Sequence, residues 1–235
     1  MTKTCLMCLT FWSGCLFAQV ADRQQMIDQA ALKYLQTAGN HATLYYGNEH
    51  EGHSPRILNH PYLKDAKFTK ARLSYNEIIY PEVLLRLDLN RKELVAQLPG
   101  HRNIVLFQEN VDFAELHGQT IIYFRSNTLR GCPSTGYYIL LYSGKCKVLE
   151  RQNADLMQNT QSTKLEQRFV MTTHFFLYKD DVYYSIKSKR ALLKVLLPYK
   201  KELKRFISAN KLYFRSDTEK FLALTVGEYE KLSGT

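Results

Sequence analysis

Residues 168–215 read RFVMTTHFFLYKDDVYYSIKSKRALLKVLLPYKKELKRFISANKLYFR, and the change of period inside this stretch decides the fold. Phe169, Met171, Thr173, Phe175 and Leu177 recur at every second position, as a strand with one buried face requires. Lys179-Asp180-Asp181 interrupts the run and residues 182–186 resume it, so 168–178 and 182–186 are predicted to pair as a hairpin. From Ser188 the spacing becomes helical. Ser188 is placed to cap a helix running toward Leu197, and Pro198 starts the next. In that second helix Tyr199, Leu203, Phe206 and Ile207 share one side, with Lys200, Lys201, Lys204 and Arg205 on the other. Ser216-Asp217-Thr218-Glu219 reads as a capping box that opens a third.

Upstream, the period of two continues. Residues 137–142 and 145–150 flank Ser143-Gly144 as a tight hairpin, with Cys146 and Val148 pointing in and Lys145 and Lys147 out. Residues 68–75, 83–89, 94–98, 104–107, 111–113 and 120–124 are further short strand signals. In 83–89, Val83, Leu85, Leu87 and Leu89 take one face and Glu82, Leu84, Arg86 and Asp88 the other, and Asn90-Arg91 marks a hairpin tip. No helix-length pattern separates these strands, so the sheet is expected to be antiparallel. The polar run 151–167, RQNADLMQNTQSTKLEQ, is expected to be a loop or short helix. Before the strands, residues 22–36 carry Met26, Ile27, Ala30, Ala31, Tyr34 and Leu35 at helical spacing, ended by Gly39-Asn40. Residues 43–46 are a candidate short strand, and 47–63 a His-rich loop with Pro55 and Pro61. The expected fold is α+β: a strongly twisted antiparallel sheet or partly closed barrel, preceded by one helix and followed by two to three helices. The chain divides into 1–18 (leader), 19–66 (helix and His-rich loop), 67–186 (β body) and 187–235 (basic helical unit packed on the body).

The leader sets the expected compartment. Lys3 precedes a mostly apolar run from Cys5 to Phe17, closed by the small Ala18. That is the order of a secretory signal cleaved near Ala18. The run is shorter than the ~20 residues a membrane-spanning helix needs. Trp12-Ser13-Gly14-Cys15 offers the alternative of a lipoprotein processed at Cys15. Cys5-x-x-Cys8 lacks the second ligand pair of a structural zinc site. Cleavage would leave Cys132 and Cys146, a candidate disulfide in an oxidising compartment.

Charge is concentrated at one place. The formal net charge is +10, and residues 187–215 hold ten Lys and Arg against Glu202 alone. Lys187, Lys189, Arg190, Lys194, Lys200, Lys201, Lys204 and Arg205 are therefore candidate contacts for anionic headgroups. The competing reading is a solvated helix face that keeps the protein soluble. Nucleic acid would suit the charge but not an exported protein.

Catalytic motifs are few. His41, His50, His53 and His60 fall within twenty residues beside Glu49 and Glu51, and His50-x-x-His53 would reach one zinc ion if the loop turned sharply. Gly52, Ser54 and Pro55 give that loop no evident rigid base, so a solvated loop is the competing reading. Gly131-Cys132-Pro133-Ser134-Thr135-Gly136 fails as a phosphate loop, because Tyr137 and Tyr138 stand where Lys and Ser or Thr are needed. As a nucleophile turn it offers Cys132 or Ser134 with His117 or His174 as base, but no helix follows to make an elbow. The sixteen tyrosines and twelve phenylalanines fall mostly at strand spacing, where they pack a pleated face.

YPEVLLRLDLNRKELV (80–95), GYYILLYSGKCKVL (136–149) and the segment from Phe175 to Arg215 together resemble a family of exported Bacteroidetes proteins of unknown function. The resemblance runs from about Lys67 onward. It implies export and the strands-then-helices order, and it transfers no catalytic residue. The expected function is that of a non-catalytic envelope protein, without cofactor, that binds or scaffolds an envelope partner or an acidic membrane or glycan surface. The alternative is a metal-assisted hydrolase using the segment His41 to His60.

Overall fold

The computed structural model describes residues 12–38, 43–159 and 166–234. Cys5, Cys8 and His41 lie outside these, and so do the side chains of Cys15 and Ala18. The fold is α+β. Helix α1 (Trp12–Ala38) is followed by eleven strands and then by α2 (Lys189–Val195), α3 (Lys200–Ala209) and α4 (Thr218–Ser233). The strands are β1 (Asn48–Glu49), β2 (Thr69–Tyr75), β3 (Ile78–Asp88), β4 (Glu93–Gln97), β5 (Asn103–Val105), β6 (Val111–Leu116), β7 (Gln119–Phe124), β8 (Gly136–Ser143), β9 (Lys147–Asn159), β10 (Glu166–Lys179) and β11 (Val182–Ser185). They form one sheet, ordered β1-β5-β4-β3-β2-β6-β7-β8-β9-β10-β11, and every pairing in that order is antiparallel. The sheet is open.

Turn chemistry explains the meander. Asn76-Glu77, His117-Gly118 and Asp180-Asp181 all have positive φ at both central residues, the turn whose twist matches that of the flanking strands. Bulges between Ala71 and Leu73 in β2, and between Leu140 and Tyr142 in β8, add curvature. The curl brings the distal part of β9 back to the tip of β3, where the Ala154 N–H meets Leu89 O at 3.4 Å and Asn90 Nδ2 donates to Ala154 O at 2.7 Å.

Two apolar clusters form the core. The first gathers Leu73, Tyr80, Val83, Leu85, Leu87, Leu94, Ile121 and Phe169, with Leu35 of α1 packed against it. In the second, Val148 and Leu177 of the sheet meet Leu192, Leu203, Ile207, Phe221 and Val226 of the C-terminal helices. In α4, Phe221, Leu222, Thr225, Val226 and Tyr229 make the buried face. Ser188 caps α2 as the sequence suggests, through Ala191 N–H to Oγ at 3.1 Å. The cap of α4 is Asp217 rather than Ser216, with Lys220 N–H donating to Oδ1 at 2.9 Å.

Several local expectations differ from the structure. Residues 43–45 form a 3-10 turn rather than a strand. Residues 151–159 and 166–167 continue β9 and β10 rather than forming a loop or helix, so the last two long strands make an extended ribbon. Asp155, Leu156, Met157 and Gln158 are all exposed there, which removes the burial periodicity that marks a strand. α1 extends further toward the N-terminus than residue 22, and its backbone is continuous through residue 18.

Candidate functional site

The basic segment is displayed on the surface. Lys187, Lys189, Arg190, Lys194, Lys200, Lys201, Lys204 and Arg205 are all exposed. In α3 the positions 200, 201, 204 and 205 fall on one side, while Leu203 and Ile207 anchor the opposite side in the second cluster. In α2, Leu192 and Leu193 are buried, and Arg190 and Lys194 are exposed. Among the described residues none of the eight cations is in a salt bridge. Two large apolar side chains of the same segment are also exposed: Leu197 is 53% exposed and Tyr213 69%.

A second constellation lies at the tip of β3. Asp88 ends that strand and is fully buried. Its Oδ1 accepts the N–H groups of Asn90 and Arg91, both at 2.9 Å, which closes the β3–β4 turn. Its Oδ2 faces two imidazoles: His53 Nε2 at 2.6 Å and His50 Nε2 at 3.2 Å. Burial by itself would push the Asp88 carboxyl up. The hydrogen bonds from His50, the Arg91 backbone and His53 outweigh it and hold the group below the usual carboxylate range. Glu93, at the start of β4, brings Oε2 to 3.8 Å from His50 Nε2, and that oxygen is buried without a hydrogen-bond partner. His50 Nδ1 is also buried and unpartnered.

The sheet supplies the rigid base that the loop alone lacks. The His50 N–H donates to Asn103 O at 2.9 Å, which continues the short β1–β5 pairing. Downstream, Leu63 N–H to Leu87 O and Leu89 N–H to Pro61 O hold residues 61–63 along β3. Asn59 exchanges two hydrogen bonds with the Phe169 backbone across the curl. His53 packs edge-on against Tyr62 and Phe169, which orients its ring. A cavity of about 330 Å³ lined by Arg91, Lys92, Glu93, Glu109 and Tyr137 adjoins the cluster through Glu93.

The remaining candidates are dispersed. His60 stacks on Tyr62 outside the cluster. No Cys132–Cys146 bridge forms, and both thiols are free. Cys132 sits in the loop before β8, where its Sγ accepts the Asn127 N–H at 3.3 Å, whereas Cys146 is buried beside α4. Ser134 bonds Arg151, and neither His117 nor His174 hydrogen-bonds Cys132 or Ser134 among the described residues. Asp88 and Glu93 are the site residues that sequence reasoning missed. The signal available was an acid between Leu87 and Leu89, two residues before the Asn90-Arg91 turn. Among the described residues no helix is long and apolar enough to cross a membrane. No protein-family model, curated protein or solved structure matches the chain.

Proposed function

We propose that the chain is an exported, non-catalytic envelope protein whose β body carries a basic helical face that docks on an anionic bilayer. One observation carries this reading: eight exposed cations on 187–205 without an acidic partner, with Leu197 and Tyr213 of the same segment 187–215 exposed as well. Each Lys or Arg near an anionic surface contributes about 1 kcal/mol, so the four cations of α3 alone are worth roughly 4 kcal/mol at moderate salt. Exposed apolar side chains among cations add insertion at the headgroup boundary, which distinguishes a docking face from a merely solvated one. Export rests on the leader and on the family resemblance, and it sets the envelope membrane as the partner.

Co-sedimentation with vesicles tests the proposal. The protein is expected to pellet with phosphatidylcholine vesicles containing phosphatidylglycerol, to stay in solution with phosphatidylcholine alone, and to be released by raised salt. Changing Lys200, Lys201, Lys204 and Arg205 to Glu should abolish pelleting. Equal binding to both vesicle types would remove the anionic surface as the target of the basic face, and binding only to a soluble acidic polysaccharide would remove the bilayer as the partner.

A further inference from the structure

The structure assigns a second site, independent of the basic face: a zinc(II) site formed by His50 Nε2, His53 Nε2 and Asp88 Oδ2, with Glu93 Oε2 as the fourth ligand. The three nearest ligand atoms lie within 4.8 Å of one another. Ligands on a tetrahedral zinc, with bonds of about 2.0–2.1 Å, stand roughly 3.3 Å apart. His50 Nε2 and Asp88 Oδ2 are already at 3.2 Å, and Glu93 Oε2 is 3.8 Å from His50 Nε2. The His53–Asp88 pair, at 2.6 Å, has to open by less than an ångström, and Glu93, outside the set of three that lie within 4.8 Å of one another, has to swing inward to complete the shell. Two imidazole nitrogens with carboxylate oxygens form a donor set that suits zinc, and not the all-oxygen shell of calcium or magnesium.

The outer shell is present at Asp88 and around His53, while His50 Nδ1 is buried without a partner. Asp88 Oδ1 is held by two backbone N–H groups, so Oδ2 is aimed with little freedom. His53 is wedged between Tyr62 and Phe169. The buried Glu93 Oε2 accepts no hydrogen bond, its nearest cationic neighbour being His50 Nε2 at 3.8 Å, and a cation at the centre of the cluster would satisfy it. Binding requires each neutral imidazole to carry its proton on Nδ1, which exchanges the two hydrogen bonds to Asp88 for metal bonds. The ion would then tie the loop before residue 63 to the β3–β4 hairpin.

The test is a zinc titration of the purified chain with its accessible thiols alkylated, read by calorimetry and by the thermal midpoint. One equivalent of zinc should bind and raise the midpoint, with cobalt(II) giving the visible absorption of a tetrahedral N/O site. His50→Gln and His53→Gln should each weaken binding roughly a hundredfold, and Glu93→Gln about tenfold. His101→Gln, at an exposed loop position, should change nothing. Glu93→Gln does not touch the turn-closing bonds of Asp88, so its effect is readable even if changes at Asp88 unfold the protein. Absence of zinc uptake by the unaltered chain, or uptake that survives both His50→Gln and His53→Gln, would overturn the assignment and leave a metal-free hydrogen-bonded clasp.

Discussion

Glu230 of α4 accepts a hydrogen bond from the backbone N–H of Cys146 at 2.5 Å. Its other carboxylate oxygen takes the Tyr142 hydroxyl at 2.9 Å. One side chain therefore fixes the last helix to both sides of the β8–β9 turn, and with it the platform on which α2 and α3 sit. Glu230→Ala is expected to cost about 1–3 kcal/mol, because it strands a backbone donor and a hydroxyl at a packed interface. Glu230→Gln keeps an acceptor for Cys146 N–H and should cost less. Urea unfolding measures both, and an unchanged midpoint in Glu230→Ala would show that apolar packing alone holds α4.

Stability should fall as pH rises toward neutrality because of Glu150. This residue is 1% exposed between the two apolar clusters, and its Oε2 has no partner. Burial pushes its carboxyl up to about 7, with the Glu219 charge adding to the shift. An unfolded Glu ionises near 4.5 while the folded one holds its proton to about 7, so the contribution is complete below 4.5 and is lost as pH rises through 7. The penalty at pH 8 is of order 3 kcal/mol. Glu150→Gln should be more stable than the unaltered chain at pH 8 and closely similar at pH 4. Parallel pH profiles for the two proteins would contradict this.

The two described thiols should react at very different rates. Burial, followed by the Glu230 charge, pushes Cys146 up to about 11 and removes the thiolate that alkylation requires. Cys132 is half-buried in the loop before β8. Iodoacetamide treatment of the native protein followed by peptide mapping should find Cys132 modified and Cys146 intact until denaturant is added. Comparable modification of both under native conditions would mean that the α4 interface opens readily.

Gly131 should not tolerate a side chain. Its φ is +71°, and a Cβ would meet Tyr183 O at 2.2 Å, where the loop before β8 covers the edge strand β11. The Tyr183 N–H donates to Arg130 O at 2.9 Å at that contact. Gly131→Ala is expected to cost more than 1 kcal/mol and to free this edge, measurable as faster amide exchange at Tyr183.

What the sequence makes legible follows from local periodicity. Val83, Leu85 and Leu87 are buried and Glu82 and Leu84 exposed, as alternation requires, and Asp180-Asp181 turns the last hairpin. The change of period at Ser188 marks the start of the helices. The extended ribbon of β9 and β10 is not legible, since exposure on both sides erases the period of two at residues 155–158. Asp88 is hidden for another reason. Alternation places it outward with Glu82 and Leu84, and only the folding of residues 50–63 over the tip of β3 buries it. The histidines that meet it stand 35 and 38 residues earlier in the chain, a distance that no local pattern spans.

Amide hydrogen exchange on vesicle-bound protein tests the proposed docking most directly. With vesicles containing phosphatidylglycerol, slowed exchange should be confined to residues 187–215, strongest around Leu197 and Tyr213, and should vanish in the variant with Lys200, Lys201, Lys204 and Arg205 changed to Glu. Protection that appears instead at the β1–β5 edge or along the β9–β10 ribbon, or none at all, would contradict the account.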